Sequence, residues 1–319
     1  MPPEPSANRG RRGRRTWPGR LTLISAAIVL SLVGVECVLI VLMGNFDFAP
    51  FVLRPGDGRC VALRPGGESR YSGYLWRVPT AVHRVNSMGY RGPERPLRAD
   101  PGVVRLAALG DSFTFGVGVG DEDSLPAALE RAVRRQGLPA IEVLNFGIPG
   151  YNLDEVTDQY AYFARRWKPR AAVYFVVNND LDEALCSRFQ SHRWLRLGGY
   201  WRTLRLFMFT FAPGEFASPP VPHTEDEVRF RAGLVRLRDE VARDGATLYV
   251  VSLQDPLHDP AATRRILADL GIASYVFQPN EYDRLEGIPR EGHFTARGNE
   301  TAASTIAPWL SDAVRRVTE

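Results

Sequence analysis

Val103-Val104-Arg105-Leu106-Ala107-Ala108-Leu109 runs straight into Gly110-Asp111-Ser112-Phe113-Thr114-Phe115-Gly116. The first half is apolar but for one arginine, and the second half opens on a glycine. Four later runs share that character: Ile141–Asn145, Ala171–Val177, Thr247–Ser252 and Ala273–Phe277. The periodicity of amphipathic helices recurs near 125–136, 152–167, 225–244, 261–270 and 296–317. Strands that are apolar throughout must be covered on both faces, and a helix after each strand supplies the cover. The expected fold is an α/β domain over residues 101–319, with three layers (α/β/α) built on a doubly wound parallel sheet.

Residues 181–223 interrupt this rhythm. They hold Trp194, Tyr200, Trp201, Phe207, Phe209 and Phe211, interleaved with Arg193, Arg196, Arg202 and Arg205. A helix packing its aromatic face on the core, a lid over a site on the sheet's rim, and a surface resting on lipid headgroups all fit that pattern. Residues 44–100 are rich in Pro, Gly and Arg, with short strand-like pieces such as Tyr74-Leu75-Trp76-Arg77-Val78. Recurring aromatic residues there point to an ordered β-rich extension and not a flexible linker.

Further upstream, Leu21–Met43 is an almost unbroken apolar run. As a helix it reaches about 34 Å, against a hydrocarbon core of about 30 Å. The apolar region of a cleaved signal is shorter, about 7–15 residues, and ends in a small-residue site that is missing here. Glu36 before Cys37 also spoils a lipoprotein signal. The segment is therefore expected to stay as a transmembrane anchor, with Glu36 inside it. Arg9, Arg11, Arg12, Arg14, Arg15 and Arg20 precede it against Glu4 alone, and no basic residue follows Met43 until Arg54. By the positive-inside rule, the basic tail 1–20 is cytoplasmic and everything after residue 43 lies outside the plasma (inner) membrane. The tail's net +5 exceeds the chain's formal +4, so no basic footprint for nucleic acid remains on the rest. Cys37 falls in the membrane. Cys60 and Cys186 fall in an oxidising compartment, where a disulfide between them is allowed but not dictated.

Ligands of an open parallel sheet bind at the carboxyl ends of its strands. The residues following the first three strands are Gly110-Asp111-Ser112, then Asn145-Phe146-Gly147-Ile148-Pro149-Gly150-Tyr151, then Asn178-Asn179-Asp180; Glu291-Gly292-His293 precedes the last helix. A serine hydroxyl needs a base to take its proton, and histidine titrates near neutrality. Attack on an ester carbonyl develops an oxyanion that needs N–H donors at about 2.7–3.1 Å. A glycine turn aims backbone N–H groups into a site, and an asparagine amide adds another donor. Ser112 and His293 are thus the candidate nucleophile and general base. Singly, each piece has a plainer use: Gly-Asp-Ser as a turn, Asn-Asn-Asp as a helix cap, Pro149-Gly150 as a tight turn. His83, His192, His223 and His258 read as surface or satisfied core residues. The ordered set is far more specific.

In that order the pieces resemble the four blocks of the SGNH (GDSL-like) hydrolases, a family defined by Ser, Gly, Asn and His. The likeness covers roughly 103–317, and Asn86-Ser87-Met88-Gly89-Tyr90-Arg91-Gly92 resembles the lead-in of anchored bacterial members. The resemblance implies that Ser112 attacks an acyl carbonyl, His293 accepts and returns the proton, and Glu291 orients the imidazole. It also implies an oxyanion hole made of the N–H groups of Ser112 and Gly150 with the Asn179 amide. Two positions depart from the family's pattern. Asn178 stands where glycine is usual, which costs backbone freedom at a turn. The acid is Glu291, two residues before the histidine, because Arg290 fills the more common place three before it. No cofactor or metal is expected: no Cys, His or acid spacing resembles a zinc site. Gly116-Val117-Gly118-Val119-Gly120 lacks dinucleotide-binding spacing and has Asp111 beside it to repel phosphate. The expected activity is that of an extracytoplasmic esterase acting on an acyl ester, such as an O-acetyl group on a cell-envelope polysaccharide. An O-acyltransferase using the same serine, and an inactive scaffold or glycan-binding protein, are the alternatives.

Overall fold

The computed structural model describes residues 17–43, 51–53, 55–71, 81–138, 140–182, 184–187, 223–288 and 292–318. Helix α1 spans Trp17–Met43, and its Gly19–Val38 stretch has a mean hydropathy of 2.3. Its 27 residues reach about 40 Å, and it is the one described helix long and apolar enough to cross a membrane. Length and composition of this kind suit an anchor and an N-terminal signal sequence alike.

Two antiparallel pairs follow, β1 (Phe51–Leu53) with β2 (Val61–Leu63) and β3 (Glu68–Tyr71) with β4 (Ala81–Arg84). Residues of β2 and the segment just after β4 reach into the main core. Val61, Leu63, Val85 and Tyr90 are buried in the same apolar cluster as Phe146, Phe163 and Trp167. The Tyr90 ring lies 5.3 Å from Phe146 and 5.1 Å from Trp167. Arg59 places its guanidinium 3.9 Å from the Phe163 ring and donates to Gln159 at 2.8 Å. A disulfide joins Cys60 to Cys186, with Cα atoms 5.8 Å apart, so the pairing that the sequence left open is made.

The centre of the molecule is a parallel sheet of β5 (Val104–Leu109), β6 (Ile141–Asn145), β7 (Ala171–Val176), β8 (Thr247–Ser252) and β9 (Ala273–Val276). Their order across the sheet is β6-β5-β7-β8-β9. Every residue of β7 is buried. Alternate side chains leave opposite faces of a strand, so Ala171, Val173 and Phe175 join one core and Ala172, Tyr174 and Val176 the other. The first core is closed by α3 (Leu125–Arg135) and α7 (Ala296–Thr318). The second is closed by α4 (Leu153–Tyr162), α5 (His223–Arg243) and α6 (Pro260–Asp269). The three-layer α/β/α architecture is as expected, with strand ends within one residue of the sequence reading. One boundary differs: α4 stops at Tyr162 instead of continuing to 167. Residues Ala164–Trp167 tighten into a 3-10 turn, which seats the buried Trp167 ring against Phe146 and Phe163. The strand-like piece Tyr74–Val78 and the aromatic residues Trp194–Phe211 lie outside the described residues.

This sheet order positions the site. From β5 the chain crosses one way to β6 and returns on the other side to β7. The carboxyl ends of β5 and β7 therefore border the crevice where open sheets bind ligands.

Candidate active site

Gly110 leaves β5 at φ 149°, and a Cβ there would meet the Thr114 hydroxyl oxygen at 2.2 Å. Only glycine lets the chain turn this sharply into α2 (Ser112–Phe115), a single helical turn with Ser112 as its first residue. Asp111 caps it, its carboxylate accepting from the Phe113 N–H at 2.9 Å.

The second block packs directly on that turn. Phe146 and Ile148 donate their N–H groups to the carbonyls of Ala108 and Gly110, and Gly147 donates to the Asn145 side chain at 3.0 Å. A Cβ on Gly147 would lie 2.4 Å from the Phe115 nitrogen, so the two loops approach backbone to backbone. Gly150 holds φ 83°, closing a turn in which Tyr151 N–H reaches Ile148 O. Asn152 then caps α4 through a reciprocal bond pair with Glu155.

The third block is tied to the second: Leu153 N–H donates to Asp180 O at 3.0 Å, and the Asn152 amide donates to Asp182 O at 3.0 Å. Asp180 is fully buried and accepts from the Tyr174 hydroxyl and the Val177 N–H. Burial, reinforced by the neighbouring Asp111, raises its carboxyl well above the usual range. Asn179 is half-buried, with its Oδ1 unpartnered among the described residues. Asn178 is exposed and is not in the left-handed region. The expected backbone cost of asparagine at this turn is therefore not incurred.

His293 arrives from the far end of the chain on a loop closed by the Ile288 N–H to His293 O bond. Its Nε2 lies 2.9 Å from the Ser112 hydroxyl, 181 residues away in sequence. The Phe113 ring, 5.1 Å from the imidazole and 5.0 Å from the Phe294 ring, braces it. Burial pushes the imidazole down to about 4, so it is neutral at pH 7 and able to accept a proton. Its Nδ1 is buried and has no partner among the described residues. Glu291 lies outside those residues. Of the other histidines, His83 is buried between the Ser69 hydroxyl and the Gly118 N–H, and His258 is exposed. His192 and the side chain of His223 are outside the described residues.

Sequence reasoning missed one neighbour. Asp111 is fully buried, and its Oδ2 lies 3.0 Å from the same Ser112 hydroxyl. Burial pushes its carboxyl up to about 6, although bonds from the Phe113 N–H and the Ser112 hydroxyl pull against that. A Gly-Asp-Ser triplet gave no sign of it, since aspartate before a helix ordinarily serves only as a cap.

The model of the GDSL-like lipase/acylhydrolase family matches residues 108–301. The chain belongs to this family. It is thus a serine hydrolase acting on ester bonds, with the SGNH fold. Among solved structures of this fold, the chain is similar to the lipase/acylhydrolase from Enterococcus faecalis, with 14% identity and a TM-score of 0.44 over 66% of this chain and 97% of that one. It is also similar to the psychrotrophic esterase EstA from Pseudoalteromonas sp., with 12% identity and a TM-score of 0.43 over 66% and 97%. AlinE4, an SGNH-hydrolase family esterase, is 20% identical with a TM-score of 0.40 over 66% and 97%. No curated protein sequence matches the chain. No described group of His, Cys, Asp and Glu residues could hold a metal ion.

Proposed function

We propose that this GDSL-family chain is an extracytoplasmic esterase anchored by residues 21–43, with Ser112 as nucleophile and His293 as general base. The observation that carries this reading is the 2.9 Å contact between His293 Nε2 and the Ser112 hydroxyl. A neutral imidazole accepts the hydroxyl proton as the serine oxygen attacks the ester carbonyl. The N–H groups of Ser112 and Gly150 and the Asn179 amide hold the resulting oxyanion. Collapse breaks the bond to the alcohol, which leaves with the proton returned by His293. Water then repeats the sequence on the acyl-serine and releases the acid. An acyl ester, such as an O-acetyl group on a cell-envelope polysaccharide, is the substrate class that suits an outward-facing site.

The test is labelling and turnover on the purified chain. A serine-directed phosphonate should modify Ser112, and a short-chain aryl ester should be hydrolysed. Ser112→Ala and His293→Ala should each lower turnover by at least about 10³-fold, and Asn179→Ala by about 10²–10³-fold. Full activity in Ser112→Ala would end the proposal.

A further inference from the structure

The four family blocks do not hold the nucleophile by themselves. Arg91 comes from the extension, before the first residue of the family match at 108, and only 1% of it is exposed. Its Nη1 donates to Phe115 O at 2.5 Å and to Gly116 O at 2.6 Å, and its Nη2 to Val119 O at 2.7 Å. Its Nε donates to the Asp121 carboxylate at 2.9 Å. The guanidinium also lies 4.8 Å from the Phe115 ring centre. Through its backbone, Arg91 bridges Val85 on one side and Asn145, the start of the second block, on the other. Asn145 in turn donates to Phe115 O at 3.2 Å.

These partners share one location. Phe115 and Gly116 end the four-residue helix that Ser112 begins. A helix of one turn cannot hold itself, because fixing its first turn costs more than its few bonds return. Its last carbonyls have no partner within the helix, and a cation there satisfies them and favours the helix dipole. Arginine suits the position because its planar fork serves several acceptors at once, which a lysine's point charge cannot do. Beside it, His83 accepts the Gly118 N–H at 3.2 Å, so two extension residues grip the loop that continues from the nucleophile turn. Burying a guanidinium is costly unless it is fully bonded; here four of its five N–H groups are used.

We propose that Arg91 is a positioning residue for the nucleophile: it fixes the end of the Ser112 turn, and thereby where the Ser112 hydroxyl stands relative to His293. The proposal rests on the assignment of Ser112 as nucleophile. A displacement of about 1 Å at a reacting atom can cost about 10²-fold in rate. Arg91→Lys should therefore lower kcat and the rate of phosphonate labelling by about 10- to 100-fold while KM stays within about twofold. Arg105→Lys is the control. Arg105 is equally buried and ion-paired with Glu142 at 2.7 Å, but it sits at the opposite end of β5 from Ser112. Its variant should lose thermal stability with kcat unchanged.

Three results overturn the proposal: wild-type kcat and labelling in folded Arg91→Lys, an equal loss of kcat in Arg105→Lys, or a loss in Arg91→Lys that lies in KM alone. If Arg91→Lys does not fold, Asp121→Asn takes its place, because Asp121 is partly exposed and orients the fork through Nε. A labelling rate at least about threefold lower then supports the proposal, and an unchanged rate overturns it. Wild-type protein that neither labels nor hydrolyses ester overturns the Ser112 assignment itself, a separate failure.

Discussion

Ser112 has one hydroxyl proton and two neighbours placed to take it, Asp111 Oδ2 at 3.0 Å and His293 Nε2 at 2.9 Å. In the proposed mechanism only the second arrangement leads to attack, and it requires the imidazole to carry its own proton on Nδ1. That nitrogen is buried without a described partner, and Glu291, two residues earlier in the chain, is the proposed acceptor. The two states of His293 set a sign. As the proposed base, His293 works only when neutral, so activity should be lost as pH falls through its pKa. Burial alone puts that value at about 4, and a facing carboxylate moves it upward. In wild type the acid limb of kcat/KM should therefore lie above pH 4. Glu291→Gln should lower turnover by about 10²–10⁴-fold and slide the limb down to about pH 4. A wild-type limb already at that pH, unmoved by the substitution, leaves Ser112 and His293 working as a dyad.

Among the elements, the second-block loop and the Ser112 turn approach backbone to backbone at Gly147. A methyl group there would lie 2.4 Å from one backbone nitrogen and 2.8 Å from a backbone carbonyl carbon, and neither can swing away. Gly147→Ala should cost about 1–3 kcal/mol of stability, as overpacking does, and should lower kcat at temperatures where the variant is still folded. Denaturant unfolding alongside ester turnover checks both; an unaltered variant would show that the two loops can part. The strands around these loops were legible because a strand buried on both faces has little choice but Val, Ile, Leu, Ala, Tyr and Phe. So was the meeting of Ser112 with His293, 2.9 Å apart in the structure, since few pairs of residue types suit the proposed chemistry. The C-terminal end of α4 was not legible, because a 3-10 turn continues the helical pattern for one more turn before Lys168 turns left-handed. Nor were Arg59, Arg91 and Arg105. In a chain with 40 basic residues, a buried arginine looks like a solvated one until its acceptors are brought to it by the fold: distant side chains such as Gln159 for Arg59 and Glu142 for Arg105, and backbone carbonyls for Arg91. Asn178 shows the reverse: it looked like a strained substitution, and the turn that forms does not ask for glycine.

For the molecule as a whole, the proposed orientation puts the basic tail inside the cell and the hydrolase outside. A phosphatase reporter fused after Glu319 should be active only if exported; an inactive reporter on an intact, stable fusion would reverse the orientation and remove envelope esters as substrates. The Cys60–Cys186 link bears on the same question and has a further consequence. It closes the backbone from 60 to 186 into a covalent circuit, and Arg91, Ser112, Gly150 and Asn179 are all threaded on it. His293 is not: the proposed base is supplied from a chain end that hangs outside the circuit. A single proteolytic cut therefore has two different meanings. Between residues 61 and 185 it opens the circuit without parting the molecule, which should run as one species until a thiol is added and as two afterwards. Beyond residue 186 and before His293, the same cut severs the serine from its histidine, and two species should appear whether or not thiol is present.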